Sequence, residues 1–175
     1  INDFYNGGTD SMGNSGTDFG IGFGTNTLGV IDSDAGGSGN IANEPSGETA
    51  MFFLTGTAVL NYSAGFDTGF SFFYSSSTVA SVFVYDGLDA TGNLLATLDL
   101  TAQYSDNCSG DPSGDFCNWT AVGASFAGTA YSIDFGGTVN QIAYDDITFG
   151  SATAGGGDDD PTPAPAPAGL ALLGL

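Results

Sequence analysis

Twenty carboxylates and no lysine, arginine or histidine occur in these 175 residues. The side chains able to do chemistry are therefore acids, amides, hydroxyls and two thiols. The densest acid group is Asp32-Ser33-Asp34-Ala35-Gly36-Gly37-Ser38-Gly39-Asn40, followed by Asn43 and Glu44. Crowded like charges raise one another's pKa unless a cation intervenes, and this chain has no side-chain cation to supply one. Calcium suits such a group, because it takes about six to eight oxygen ligands and a Gly-rich loop lets the backbone wrap round it. Asp32-x-Asp34 opens like an EF-hand loop, but Gly36 stands at its fifth position and Asn43 at its twelfth, with no helix expected on either side, so an EF-hand is rejected. The expectation is a calcium site in a sandwich loop, with Asp32, Asp34 and Glu44 as first ligands and Asp145 or Asp146 joining from far along the chain. A solvated Asp/Gly turn is the alternative.

Other chemistries are poorly supplied. Glycoside hydrolysis needs two carboxyl groups at a set separation, and the two glutamates, Glu44 and Glu48, flank Pro45-Ser46-Gly47 in an expected loop. Asp67-Thr68-Gly69 spells the aspartic-protease triplet once, in a chain half the length of a two-lobed enzyme, and reads instead as a Gly-assisted bend. Without His or Lys, the nucleophile-base pairs of acyl transfer and the Schiff-base lysines are missing. Nucleic acid is excluded as a partner, since phosphate neutralisation requires Lys or Arg. The expectation is a protein that is not an enzyme. Trp119, Tyr5, Tyr62, Tyr74, Tyr85 and Tyr104 are the candidates for a sugar-stacking platform, although most of the aromatic residues are needed for a core.

Those residues must be positioned by strands. At 41% hydrophobic and 13% aromatic residues, the chain is too apolar to stay disordered despite its −20 charge. Period-two runs rich in β-branched and aromatic residues, separated by Gly, Asn, Asp and Ser, predict about ten strands and no helix. They fall at Phe19 to Phe23, Leu28 to Asp32, Thr49 to Leu54, Thr57 to Tyr62, Phe66 to Tyr74, Ala80 to Tyr85, Leu94 to Leu100, Trp119 to Phe126, Ala130 to Phe135 and Gln141 to Phe149. The fifth and sixth read as a hairpin-like unit. The fold class is all-β, an antiparallel β-sandwich, jelly-roll-like, with a sealed barrel as the alternative. In the last strand Ile142 and Tyr144 share one parity while Ile147 and Phe149 take the other. That phase slip reads as a β-bulge at Asp145-Asp146, which would aim both carboxylates at one sheet edge; a regular strand with one Asp facing solvent is the alternative.

Cys108 and Cys117 bracket a Gly/Pro/Asp-rich loop and predict one disulfide, which suits an oxidising compartment. The domain organisation reads as a sandwich over 1–150, a Gly/Asp/Pro-rich linker over 151–167 and an apolar tail over 168–175. Starting at Ile1 is what a mature chain would show after removal of a signal peptide.

The run from Pro161 to Leu175, Pro-Thr-Pro-Ala-Pro-Ala-Pro-Ala followed by Gly-Leu-Ala-Leu-Leu-Gly-Leu, resembles the start of a PEP-CTERM sorting signal, with Ala where its Glu is usual between prolines. The body is similar to proteins carrying that signal at Phe66 to Tyr74, Val84 to Leu88, Gly92 to Leu98 and Asn140 to Gly150. The resemblance implies export to the bacterial cell surface, a transient membrane anchor through a C-terminal segment not complete here, and a place among exopolysaccharide or biofilm matrix proteins. It supplies no catalytic residue. The combined expectation is a secreted, non-catalytic structural component of the extracellular matrix, stabilised by calcium, which bridges either subunits or anionic polysaccharide. Two alternatives stand beside it: a filament subunit joined by strand addition through the N-terminal 18 residues or the tail, and a carbohydrate-binding module.

Overall fold

A computed structural model describes residues 1–105, 108–109, 114–155 and 172–173. Eleven strands are formed among the described residues: β1 (Ile21–Phe23), β2 (Thr27–Ile31), β3 (Thr49–Phe53), β4 (Ala58–Phe66), β5 (Gly69–Ser76), β6 (Ala80–Tyr85), β7 (Leu94–Leu100), β8 (Thr120–Ser125), β9 (Ala130–Phe135), β10 (Ile142–Phe149) and β11 (Leu172–Leu173). All strand pairs are antiparallel. One sheet has the order β1-β4-β9-β6-β7; the other has β2-β3-β10-β5-β8, with β11 added on β10. Successive strands from β3 to β10 change sheet at every step except β6 to β7, which pair as neighbours, and the resulting orders 3-10-5-8 and 4-9-6-7 are jelly-roll topology. The linker reading over 156–167 and most of the tail lie outside the described residues.

Alternation along each strand builds the core between the sheets. Phe53, Phe70, Phe72, Phe135, Tyr144 and Phe149 are almost wholly buried there. All of these rings but Phe53 meet neighbours edge-on or tilted, with centroids 4.9 Å apart for Phe135 and Tyr144, 5.4 Å for Phe72 and Tyr144, and 5.7 Å for Phe70 and Phe149. Such pairs add about 0.5–1.5 kcal/mol each beyond the area they bury. Tyr144 also carries a hydroxyl into this interior and donates it to the Gly136 carbonyl at 2.6 Å, so its burial leaves no polar atom stranded. Burial pushes its phenol well above the usual range.

Two connections differ from expectation. Phe66 closes β4 and does not begin the next strand. The chain turns at Asp67 and Thr68, where Thr68 has φ of 74° and the Gly69 amide donates to the Asp67 carbonyl at 2.8 Å. Strands β5 and β6 form no hairpin, since they lie in opposite sheets. Ser77 to Val79 carry the chain across the sandwich edge; Ser76 Oγ donates to the Thr78 carbonyl at 2.7 Å and the Ser77 amide to the Gln141 carbonyl at 3.0 Å. Period two sets which face a residue takes, but not whether successive strands pair with each other.

The N-terminal segment is folded onto its own domain. Tyr5 is buried against Phe23, with ring centroids 6.0 Å apart, and its carbonyl accepts from the Phe19 and Ile21 amides.

Candidate functional site

Two features lie on the outer side of the β2-β3-β10-β5-β8 sheet, an acid group and a cleft. The acid group begins where β2 ends. The Asp32 amide donates to the Glu48 carbonyl at 2.9 Å, and Asp32 pairs as a parallel bridge with Gly39. The loop between them closes on itself through Ser33 N to Gly39 O at 3.1 Å and Gly37 N to Asp32 O at 2.8 Å. A Cβ on Gly37 would fall on the Ile31 carbonyl, so the turn demands glycine there. Asp32 is buried and accepts the Asp34 amide at 3.3 Å, while Asp34 itself is exposed.

The second contributor is β10. Its register against β5 shifts between Asp145 and Thr148, which is the predicted bulge. Asp146 takes φ of 49° at that point. The extra residue lets Ile142 and Tyr144 before it, and Ile147 and Phe149 after it, all face the core. It also buries two adjacent carboxylates, Asp145 completely and Asp146 to 8% exposure. Asp145 accepts the Ser46 amide at 3.0 Å, the Ser46 hydroxyl at 3.1 Å and the Asp146 amide at 2.7 Å. Burial pushes its carboxyl up to about 6, against the lowering effect of those donors and reinforced by the charge of Asp146. Burial also raises Glu44, and the charges of Asp32, Asp145 and Asp34 add to that rise. Burial followed by the Asp145 charge pushes the Tyr5 phenol up to about 12.

The structure thus brings Asp32, Asp34 and Asp145 within electrostatic reach of Glu44, with Asp146 beside Asp145. Asp146 Oδ1 and Glu44 Oε1 are buried and accept no hydrogen bond. Among the described residues, no three acid or thiol side chains converge as a ready metal cage.

The cleft lies beside this group. Cys108 and Cys117 are joined in the expected disulfide, with Cα atoms 5.1 Å apart. The bond anchors the segment that leads into Phe116, whose amide donates to the Asn40 carbonyl at 3.0 Å and whose carbonyl accepts the Ala42 amide at 3.1 Å. Trp119 Nε1 donates to the Ala42 carbonyl at 2.9 Å. Ile41, Ala50, Phe116 and Ala143 form a small second core on this outer face, flanked by Val30 and Trp119. Next to it is an open cleft of about 250 Å³, whose lining includes Val30, Asn40, Phe52, Leu54, Phe116 and Asn140. Asn40 is held in place by donating to Asp115 Oδ2 at 3.2 Å, and the Asn140 amide donates to the Phe53 carbonyl at 2.9 Å. Leu54 is 50% exposed.

Sequence reasoning missed Phe52 and Asn140. The signal was available: Met51, Phe52 and Phe53 are apolar in succession, so one face of β3 carries an aromatic ring that the inner core does not absorb. Of the aromatic residues proposed as a platform, Tyr5 and Tyr74 are buried, and Tyr62 packs on Phe149 with centroids 5.6 Å apart. Tyr104 lies at the surface against Phe116, with centroids 5.3 Å apart.

The architecture defines the chain as an antiparallel jelly-roll β-sandwich. No protein-family model matches it, and no curated protein does. Among solved structures it is similar to a family 6 carbohydrate-binding module, at 14% identity and a TM-score of 0.45 over 73% of this chain and 83% of that one. A second similar structure is CsCBM6-3 from Clostridium stercorarium in complex with cellobiose, at 16% identity and a TM-score of 0.44 over the same shares. At these levels the likeness concerns the general shape of the sandwich alone.

Proposed function

We propose that the chain is a non-catalytic extracellular β-sandwich that binds polysaccharide of a cell surface or matrix. The observation that carries this reading is the cleft, whose lining combines the aromatic residues Phe52 and Phe116 with Asn40 and Asn140. Sugar rings offer C–H faces that pack on aromatic and aliphatic surface, and hydroxyls that pair with amides, which both donate and accept. Few, well-placed polar groups in an apolar concavity are what orient such a ligand. The disulfide fits an oxidising compartment, and the resemblance of the tail to a PEP-CTERM signal points the same way. The test is titration of the whole protein with a panel of neutral and acidic polysaccharides. Binding that falls at least tenfold in Asn140→Ala and Phe52→Ala, with no release of reducing sugar, supports the reading. Failure of the native protein to bind any member of the panel overturns it.

A second reading concerns the acid group and rests on Asp146. Its carboxylate is buried, one oxygen has no donor, and no side chain of the protein can neutralise it. We infer that calcium is taken up there, with Asp146 and its neighbour Asp145 as ligands and with Glu44 and Asp32, grouped around Asp145's side of the loop through Glu44, as further candidates. Calcium would supply charge compensation for the group and stiffen the link between the 32–48 loops and β10. Asp34, being exposed, would reach the ion only from outside.

A further inference from the structure

Strand β10 is central in its sheet, yet its two edges are used differently. Along one edge β5 pairs from Ile142 to Phe149. Along the other, β3 pairs at Tyr144 opposite Met51, and beyond the Asp145-Asp146 bulge the partner is β11, with Ile147 opposite Leu173 and Thr148 opposite Leu172. The reason is local: β3 begins only at Thr49, and the residues before it leave the sheet through Gly47, whose φ is 56°, to place Ser46 on Asp145. A bulge ends one run of pairing, and here it leaves a short stretch of interior β10 backbone to be completed by a segment from elsewhere. Because Ile147, Thr148 and Phe149 are fully buried, an unpaired edge at that depth would be costly.

The completing segment belongs to an apolar stretch, Gly-Leu-Ala-Leu-Leu-Gly-Leu at 169–175, that follows Pro161, Pro163, Pro165 and Pro167. Strand pairing reads backbone, so the slot does not distinguish its own tail from that of a neighbour. We propose that the β10 edge beyond the bulge is an acceptor slot for the C-terminal segment of a second copy, so that copies link tail to slot by strand addition. Each copy carries one slot and one tail, so the contact is heterologous and propagates as an open chain unless its rotation closes a ring. The segment that pairs with this edge is Leu172–Leu173, which makes the tail the connector. This proposal is independent of the glycan reading.

The test uses two whole chains of different tag mass, one carrying Thr148→Cys and the other Leu172→Cys, mixed in near-physiological salt and oxidised. These positions face each other in the register. A disulfide-linked pair containing both tags is expected, and is lost when the mixture is competed with excess peptide of residues 168–175. The unsubstituted protein, examined by light scattering and electron microscopy, should form species of two copies or more that increase with concentration, whereas the chain lacking 168–175 stays monomeric. Cross-linking only within the Thr148→Cys/Leu172→Cys double variant, together with a monomeric native protein at every concentration, overturns the proposal. Loss of glycan binding with assembly intact leaves it standing.

Discussion

Ser46 and Asp145, separated by 99 positions, meet through two hydrogen bonds: the serine amide and hydroxyl donate to the two carboxylate oxygens at 3.0 and 3.1 Å. This contact latches the loop that carries Glu44 onto the bulge of β10. It thereby gathers acids that come from opposite ends of the sequence, and it sets where β3 can begin.

The pH dependence of stability follows from Asp145. Its carboxyl is raised from 3.8 to about 6 by burial, so between those values the folded protein holds a proton that the unfolded chain releases. Without calcium, stability is therefore greatest near pH 4 and falls as pH rises to 6, by up to about 3 kcal/mol, staying level above that. Glu44, also raised, contributes in the same direction. Asp10 and Asp86, lowered chiefly by hydrogen bonds from Asn14 and Asn93, act the opposite way only at more acidic pH. Thermal melts in chelator across this range check the slope, and Asp145→Asn should flatten it.

Calcium should reverse that profile, because a bound ion favours ionised carboxylates. With an affinity on the order of 10⁻⁴–10⁻³ M, as in extracellular calcium modules, saturation to about 100 times the dissociation constant adds about 2.7 kcal/mol. The melting temperature at pH 7 is expected to rise with calcium in the native protein and to respond much less in Asp146→Asn. Melting that is indifferent to chelator and calcium alike defeats this prediction.

Reduction of the Cys108–Cys117 bond should cost about 2–4 kcal/mol through freedom regained by the unfolded loop. Because Phe116 is held to Asn40 and Ala42 next to that bond, polysaccharide affinity is expected to fall along with stability. Denaturant titrations and binding measurements with and without reductant make the comparison.

Replacing Tyr144 with Phe removes the donor to the Gly136 carbonyl while keeping the ring among Phe72 and Phe135. The stranded acceptor should cost about 1–3 kcal/mol, read as a shift in denaturant midpoint at unchanged slope.

Much was legible in the linear pattern. Alternating apolar residues with Gly and Asp turns dictated strands and a sandwich, because a two-residue side-chain period leaves one face to bury. The phase slip at Asp145-Asp146 announced the bulge for the same reason, and the spacing of Cys108 and Cys117 announced their bond. What period two cannot encode is the partner of each strand. The hairpin expected of β5 and β6 therefore became a crossing between sheets, and Phe66 was assigned to the wrong side of a turn.

Composition alone established that this protein must live with carboxylates it cannot neutralise from within, since charge is a property of residue types and needs no fold. Tertiary structure decided which acids are buried together, that Phe52 and Asn140 share a cleft with Asn40, and that Leu172–Leu173 lies against β10. Those are contacts between segments tens of residues apart, and only chain topology brings such segments into register.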